Sequence, residues 1–186
     1  KHLWLQFDGI FRDSQVWVNG FYLGHEVSGY ATQTYDISEY LNYGGKNLVC
    51  VRADATLEEG WFYEGAGIYR HVWLNKASKV HVAPFGTFVH SRFILNYDDC
   101  GGCAACVGKP QLDMAYLHIE TTVQNMGVKP EDYSLKHTLT DASGKKVAEA
   151  EVSGRQILAK DSNHTEACIE VPKPHLWSCD DPYLYN

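Results

Sequence analysis

The sequence contains no apolar run long enough to span a membrane and no stripe of basic residues. Its 186 residues carry a formal net charge of −7, and 21% of them are charged. These features argue against a membrane or a nucleic-acid partner. With 45% apolar residues the composition is that of an ordinary globular protein, and the length fits one large domain or two small ones.

A helical pattern longer than about two turns is also missing, which excludes a barrel of alternating strands and helices. Apolar alternation predicts β-strands throughout the chain instead. Residues 16–23 give the strongest local signal, because Asn19-Gly20 between two apolar runs predicts a two-residue hairpin with a type I′ turn. Residues 47–53 predict a buried strand in which Cys50 serves as a small apolar side chain.

The second half of the chain repeats the β-pattern with new strands. About seven short strands over roughly a hundred residues, with turns between them, are typical of an immunoglobulin-like sandwich. Before them, the tripeptide Pro84-Phe85-Gly86 punctuates the chain. We therefore predict an all-β protein with two domains, residues 1–78 and 79–186. The clearest strands of the second domain cover residues 115–123, 135–140, 146–152 and 165–171.

Several chemical signatures are missing as well. The nine histidines are scattered, without a His-Glu-x-x-His motif or a close pair, so nothing indicates a zinc hydrolase. No phosphate-cradling loop or nucleophile elbow is present. Six cysteines occur without an obvious disulfide framework, which favours a reducing compartment. We therefore expect a cytoplasmic location, with a periplasmic or secreted one as the alternative.

Three of the cysteines, Cys100, Cys103 and Cys106, lie in a stretch rich in glycine and alanine. Their spacing is similar to a bacterial iron–sulfur run, but Pro110 occupies the position of the fourth cysteine. Three interpretations stay open: a surface loop with free thiols, a local disulfide, or a metal site. The first is favoured, because no histidine lies at ligand spacing nearby.

The most informative segment is residues 61–71, in which aromatic rings surround a carboxylate and lead through two glycines into a strand. Flat rings cover the apolar face of a sugar, and a fixed carboxylate accepts hydrogens from its hydroxyl groups. The segment therefore predicts a carbohydrate contact, with packing of the sandwich as the alternative. Arg70, just after the glycines, is interpreted as structural and paired with Asp8 or Asp54.

Further motifs accompany this segment in a defined order along the chain. They are Phe7-Asp8-Gly9, Val16-Trp17-Val18-Asn19-Gly20, Tyr35-Asp36-Ile37, Val51-Arg52-Ala53-Asp54, Ile68-Tyr69-Arg70, Pro174-His175-Leu176-Trp177-Ser178 and Pro182-Tyr183-Leu184-Tyr185. Together they resemble the first two domains of glycoside hydrolase family two, the β-galactosidase and β-glucuronidase group. The resemblance implies a partial jelly roll of the galactose-binding type, without its opening strands, followed by an immunoglobulin-like sandwich.

In that family a (β/α)₈ barrel comes next and carries both catalytic glutamates. This chain lacks the Asn-Glu dipeptide of the family's acid/base motif, so we assign it no catalytic residue and expect it to be inactive alone. The resemblance implies that the parent is a retaining β-galactosidase acting on β-galactosides and assembling as a homo-oligomer. β-Glucuronidase or β-mannosidase is the alternative within the family, and a stand-alone carbohydrate-binding or structural module is the alternative outside it.

The resemblance also places a loop, residues 54–64, over the subsite for the terminal sugar. In that loop Asp54 or Glu64 would accept sugar hydroxyls, and Trp61 and Tyr63 would form a wall. The better-known bacterial β-galactosidases have a metal-binding aspartate where this chain has Trp61, so no metal site is carried over. We expect no cofactor in this chain, while the resemblance lets the parent enzyme use Mg²⁺ or Na⁺.

Overall fold

The structure, a computed structural model, describes residues 1–56, 65–96 and 111–186. The chain divides into two units, a first unit of Lys1–Lys79 and a second unit of Val80–Asn186. Every regular secondary-structure element in the described ranges is a β-strand, which confirms the predicted all-β class. Since these ranges contain no helix, they offer none that is long and apolar enough to cross a membrane.

The first unit contains eight strands in its described residues. They are β1 (His2–Phe7), β2 (Ile10–Phe11), β3 (Ser14–Val18), β4 (Phe21–Glu26), β5 (Gln33–Asp36), β6 (Val49–Arg52), β7 (Gly67–Ile68) and β8 (Val72–Ala77). Their hydrogen bonds define three small sheets, with strand orders β5-β1-β8, β4-β3-β6 and β2-β7. The pairing is antiparallel throughout.

The core of the first unit follows from alternation along β1 and β3. Successive side chains of a strand point to opposite faces, so every second residue can enter one core. On β1 these residues are Leu3, Leu5 and Phe7, which are at most 8% exposed. Val16 and Val18 of β3 are fully buried in the same cluster.

The predicted hairpin of the first unit is confirmed. Val18 pairs with Phe21, and the two residues between them, Asn19 and Gly20, have φ values of 51° and 87°. Positive φ at both positions is what a type I′ turn requires. The Asn19 side chain also reaches beyond the turn, because its Oδ1 accepts the Leu48 N–H at 2.9 Å. The turn thus anchors the approach to β6.

The prediction of a buried strand over residues 47–53 is wrong in its burial. The strand forms as β6, but Val49 is 44% exposed and Cys50 is an exposed free thiol. β6 is the outer strand of its sheet, so within the described ranges it has a neighbour on one side only. An apolar run predicts a strand, whereas burial depends on what covers that strand.

A second outer strand, β8, leaves part of the core face open. Its Val72 and Leu74 pair with Phe7 and Leu5 of β1 and therefore point to the same face of the sheet. Phe7 and Leu5 are buried, but Val72 and Leu74 are 45% and 63% exposed. The core of the first unit thus reaches solvent along β8.

The second unit contains five strands in its described residues, fewer and longer than the predicted set of about seven. They are β9 (Val80–Asn96), β10 (Gln111–Asn125), β11 (Glu131–Thr140), β12 (Lys146–Ile157) and β13 (Ser162–Pro172). Two sheets result, with strand orders β13-β10-β9 and β11-β12. A core cluster of Ala115, Ile119, Ile169 and Val171 has residues of β11 and β12 packed against it.

The tripeptide Pro84-Phe85-Gly86, which the sequence suggests as a break in the chain, forms a bulge inside β9. The pairing of β9 with β10 jumps from Val82 to Thr87 at this point, and Phe85 has a φ of 54°. A Cβ on Gly86 would lie 2.8 Å from the carbonyl oxygen of Ala83, so the bulge needs glycine there. The strand therefore bends at this tripeptide and continues beyond it.

Candidate functional site

An apolar groove of about 380 Å³ lies on the first unit where β2 and β7 pair. Phe11, Tyr30 and Tyr69 line it, together with the glycine turn of residues 65–68. The rings of Phe11 and Tyr30 meet edge to face with 5.9 Å between their centroids. Tyr30 and Tyr69 are 62% and 52% exposed, so both present ring surface to a ligand.

Two glycines allow the rings of the groove to lie directly on the backbone. A Cβ on Gly9 would lie 2.7 Å from the ring of Tyr69, and one on Gly29 would come closer still to Phe11. The Tyr69 hydroxyl donates a hydrogen bond of 2.9 Å to the carbonyl of Gly29. The position of Tyr69 is therefore set by packing along the ring and by a hydrogen bond at its tip.

Asp54, one of the predicted sugar contacts, lies beside this groove. Its N–H donates to the carbonyl of Arg12 at 2.9 Å, next to Phe11 in the chain. One carboxylate oxygen accepts from Arg52 at 2.5 Å, and the other accepts from the Thr56 hydroxyl at 2.7 Å. The hydrogen bonds from Thr56, and then the charge of Arg52, lower the pKa of Asp54. Each oxygen has two lone pairs, so the ionised carboxylate keeps capacity for a sugar hydroxyl.

The other predicted contacts, Trp61, Tyr63 and Glu64, lie outside the described residues. Both flanks of their segment are described. On one flank, the Thr56 hydroxyl donates a hydrogen bond to Asp54, whose N–H donates to the carbonyl of Arg12. On the other flank, Gly65 lines the groove together with Phe11. The described residues on either side of 57–64 thus lie near the groove, and the sugar contacts of Trp61, Tyr63 and Glu64 remain a prediction.

The sequence-based interpretation overlooked Phe11 and Tyr30. They stand far from residues 61–71 in the chain. The pairing of β2 with β7 brings Phe11 to the glycine turn, and Tyr30 packs against Phe11. The available signal was local: Phe11 lies two residues after Gly9, and Tyr30 directly follows Gly29. Glycines beside aromatic residues indicate places where a ring can approach backbone closely.

A hydrogen-bonded network around Asp8 holds the segment that follows the glycine turn. The Asp8 carboxylate accepts from the Gln6 side-chain amide and from Trp73 Nε1, both at 2.8 Å. These two hydrogen bonds, with the charges of Arg70 and His71, lower the pKa of Asp8 from its ordinary 3.8. Of the two carboxylates predicted to face Arg70, Asp8 is the one that its charge affects.

Replacing Asp8 with asparagine should weaken the decrease in folding stability that occurs as the pH is lowered into the acid range. A carboxyl group whose folded-state pKa is lowered stabilises the fold above its ordinary pKa of 3.8, and this contribution disappears as the pH falls through the lowered value. Melting temperatures of wild type and Asp8→Asn should differ at neutral pH and converge in acid. Asp180→Asn, at an exposed carboxylate, is the control. A constant difference down to pH 2 would contradict this account.

The described ranges hold no group of three or more His, Cys, Asp or Glu side chains that is arranged to bind a metal ion. Cys100, Cys103 and Cys106 lie outside these ranges. The three interpretations of that cluster therefore stay open.

The fold and groove define the class of this chain: two β-sheet units, of which the first carries an aromatic groove suited to a flat ligand ring. Residues 1–78 match the family model of the glycosyl hydrolases family 2 sugar binding domain, and residues 108–186 match the glycosyl hydrolases family 2 model. The chain belongs to glycosyl hydrolase family 2.

Similar proteins agree with this assignment. A β-galactosidase of Bacteroides ovatus is 35% identical over 98% of the chain, and a β-glucuronidase of Bacteroides fragilis is 27% identical over all of it. The chain covers 20% and 26% of their lengths, respectively. A crystal structure of a family member from Bacteroides cellulosilyticus aligns with a TM-score of 0.83 at 28% identity, over all of this chain and 23% of the other. The chain thus spans about a fifth to a quarter of these relatives.

Proposed function

We propose that this chain is the non-catalytic N-terminal portion of a retaining β-galactosidase that hydrolyses terminal β-galactosides. The proposal is supported by family membership and by 35% identity to a protein named β-galactosidase. The bond-breaking carboxylates are then supplied by a separate (β/α)₈ domain of the whole protein, with one as acid/base and one as nucleophile. The chain itself contributes substrate contacts and scaffold.

The aromatic groove is the observation that supports a substrate role most directly. Its two tyrosine rings are exposed, yet Tyr69 packs against Gly9 and is held by its hydrogen bond to Gly29, while Phe11 packs against Gly29. A fixed ring binds the apolar face of a sugar at little entropic cost. Asp54 and Gly65, which flank the loop in the described structure, lie near this groove. In our proposal Trp61 and Tyr63 extend the wall, while Glu64 and Asp54 accept hydroxyl hydrogens.

The choice of sugar is tested on the whole protein with chromogenic β-galactoside, β-glucuronide and β-mannoside substrates. We expect the highest kcat/KM for the galactoside, and NMR of the first product should show the β-anomer. β-Glucuronidase is the second candidate, because the relative of that name in Bacteroides fragilis aligns with the entire chain. Preference for the glucuronide by kcat/KM would replace our proposal with that one.

The Glu64→Gln substitution in the whole protein tests the loop. A carboxylate that accepts sugar hydroxyls contributes about 1.5–3 kcal/mol through charge-assisted hydrogen bonds, so kcat/KM should fall about ten- to hundredfold. Glu39→Gln, at an exposed carboxylate of the first unit, is the matched control and should leave the kinetics unchanged. Unchanged kinetics in Glu64→Gln would remove this residue from the site.

A stand-alone carbohydrate-binding module is the alternative from another class. The 186-residue chain alone should show no saturable binding of galactose if the barrel supplies most of the subsite. Saturable binding that is lost in Tyr30→Ala would favour the module, since Tyr30 presents its ring at the groove. Isothermal titration with galactose distinguishes the two.

A further inference from the structure

The outer face of the β13-β10-β9 sheet in the second unit carries a second groove of about 380 Å³. Among its lining residues are His90, His118 and Cys168. His118 pairs directly with His90 on one side and with Cys168 on the other. The strand pairing thus puts two imidazoles and a thiol in one row across three strands, although they are far apart in sequence.

Directly paired residues of antiparallel strands point to the same face and have Cβ atoms about 4.5–5.5 Å apart. The two imidazole rings are in fact stacked, with centroids 5.0 Å apart and planes 11° from parallel. Nδ1 of His90 is buried and has no hydrogen-bond partner within the described ranges. Cys168 is an exposed free thiol. The row therefore combines imidazole nitrogens and a thiol sulfur, which are donor atoms of the kinds that borderline metals prefer.

Two carboxylates border the row and make the groove favourable for a cation. Glu120 and Glu166 line the groove and pair with each other across β10 and β13. They lie two residues along their strands from His118 and Cys168, and therefore on the same face. His164 lies 3.4 Å from Glu120. Arg92 is the positive group of the lining, and its long side chain can turn towards solvent.

We propose that His90 and His118 bind one Zn²⁺ as a two-imidazole chelate on this face, with Cys168 as the third ligand. In the structure the two rings are stacked and do not converge on one point, and the described ranges hold no group of three ligands already arranged around a metal position. Zinc binding on this face therefore requires rotation of the three side chains until the ligand atoms reach the usual distances, about 2.0–2.1 Å for nitrogen and 2.3 Å for sulfur. On binding, the thiol proton of Cys168 passes to solvent and the sulfur binds as the thiolate.

Zinc titration of the 186-residue chain by calorimetry tests the proposal. The background should carry Cys100→Ser, Cys103→Ser and Cys106→Ser, because those thiols could bind the metal themselves. We expect one Zn²⁺ per chain, and at least about tenfold weaker binding in His90→Ala and in His118→Ala. Cys168→Ser should weaken binding as well. His164→Gln, on the same face but outside the row, should leave the affinity unchanged.

A second measurement uses no substitution at His90, His118 or Cys168, so it does not depend on whether such variants fold. The side-chain nitrogen resonances of His90 and His118 should shift when Zn²⁺ is added to the same background, while those of His164 stay in place. No zinc binding by this background would overturn the proposal. So would binding that leaves the resonances of His90 and His118 unmoved.

Discussion

Replacing Phe7 with alanine is expected to destabilise the first unit by about 3–5 kcal/mol. Phe7 is 1% exposed and belongs to the core cluster of the first unit. Its ring also contacts Tyr35 edge to face, with centroids 6.3 Å apart. Truncation removes buried apolar surface and leaves a cavity that the surrounding strands fill only in part.

Urea unfolding followed by tryptophan fluorescence would measure this loss. Four of the five tryptophans, Trp4, Trp17, Trp61 and Trp73, lie within residues 1–79, so the signal reports mainly on the first unit. Phe21→Ala is the matched control, because Phe21 is 55% exposed and its loss should cost no more than about 1 kcal/mol. A similar loss in both variants would show that Phe7 is not central to the core.

The Asn125→Ala substitution should destabilise the second unit by about 2–4 kcal/mol. Asn125 is fully buried at the end of β10. Its amide group donates to the carbonyls of Lys129 and Leu158 at 2.8 and 3.1 Å, and its Oδ1 accepts the Gly127 N–H at 2.8 Å. One side chain thus joins the turns on either side of it, and alanine leaves three backbone groups without that partner.

Chemical unfolding monitored by circular dichroism would measure the cost, and amide exchange at Gly127 would locate it. Asn125→Asp retains the acceptor for Gly127 but loses the two donors, so it should be destabilised and yet protect that amide better than alanine does. Asn163→Ala is the control, since the strongest hydrogen bond of Asn163 is one to Gln156 O at 2.8 Å, and it should cost about 1 kcal/mol. Unchanged exchange at Gly127 would contradict the assigned role.

Features set by a few neighbouring residues were predictable from the sequence. The Asn19-Gly20 hairpin formed as predicted, because the conformational preferences of these two residues alone fix the turn. Strand positions in β10 and β13 were predictable for a similar reason, since apolar alternation reports which residues share a face. The buried residues Ile119, Val123 and Ile169 all lie in the strands predicted over residues 115–123 and 165–171.

Features set by distant pairing were not predictable. Cys50 was expected to be buried, but its exposure follows from the position of β6 at the edge of a sheet. Likewise, the aromatic groove needs β2 to pair with β7, and the row of His90, His118 and Cys168 needs three strands in register. No local pattern specifies these juxtapositions, so the histidines looked merely scattered in the sequence.

The half-open flank at Val72 and Leu74 affects how the first unit responds to temperature. These side chains share a face with Phe7 and Leu5 but are already largely hydrated in the native fold. Unfolding therefore exposes less additional apolar surface to water than it would in a β-sandwich of equal length whose core is fully covered. Because that transfer sets the heat-capacity increment, the dome of free energy against temperature should be broad and shallow for this unit.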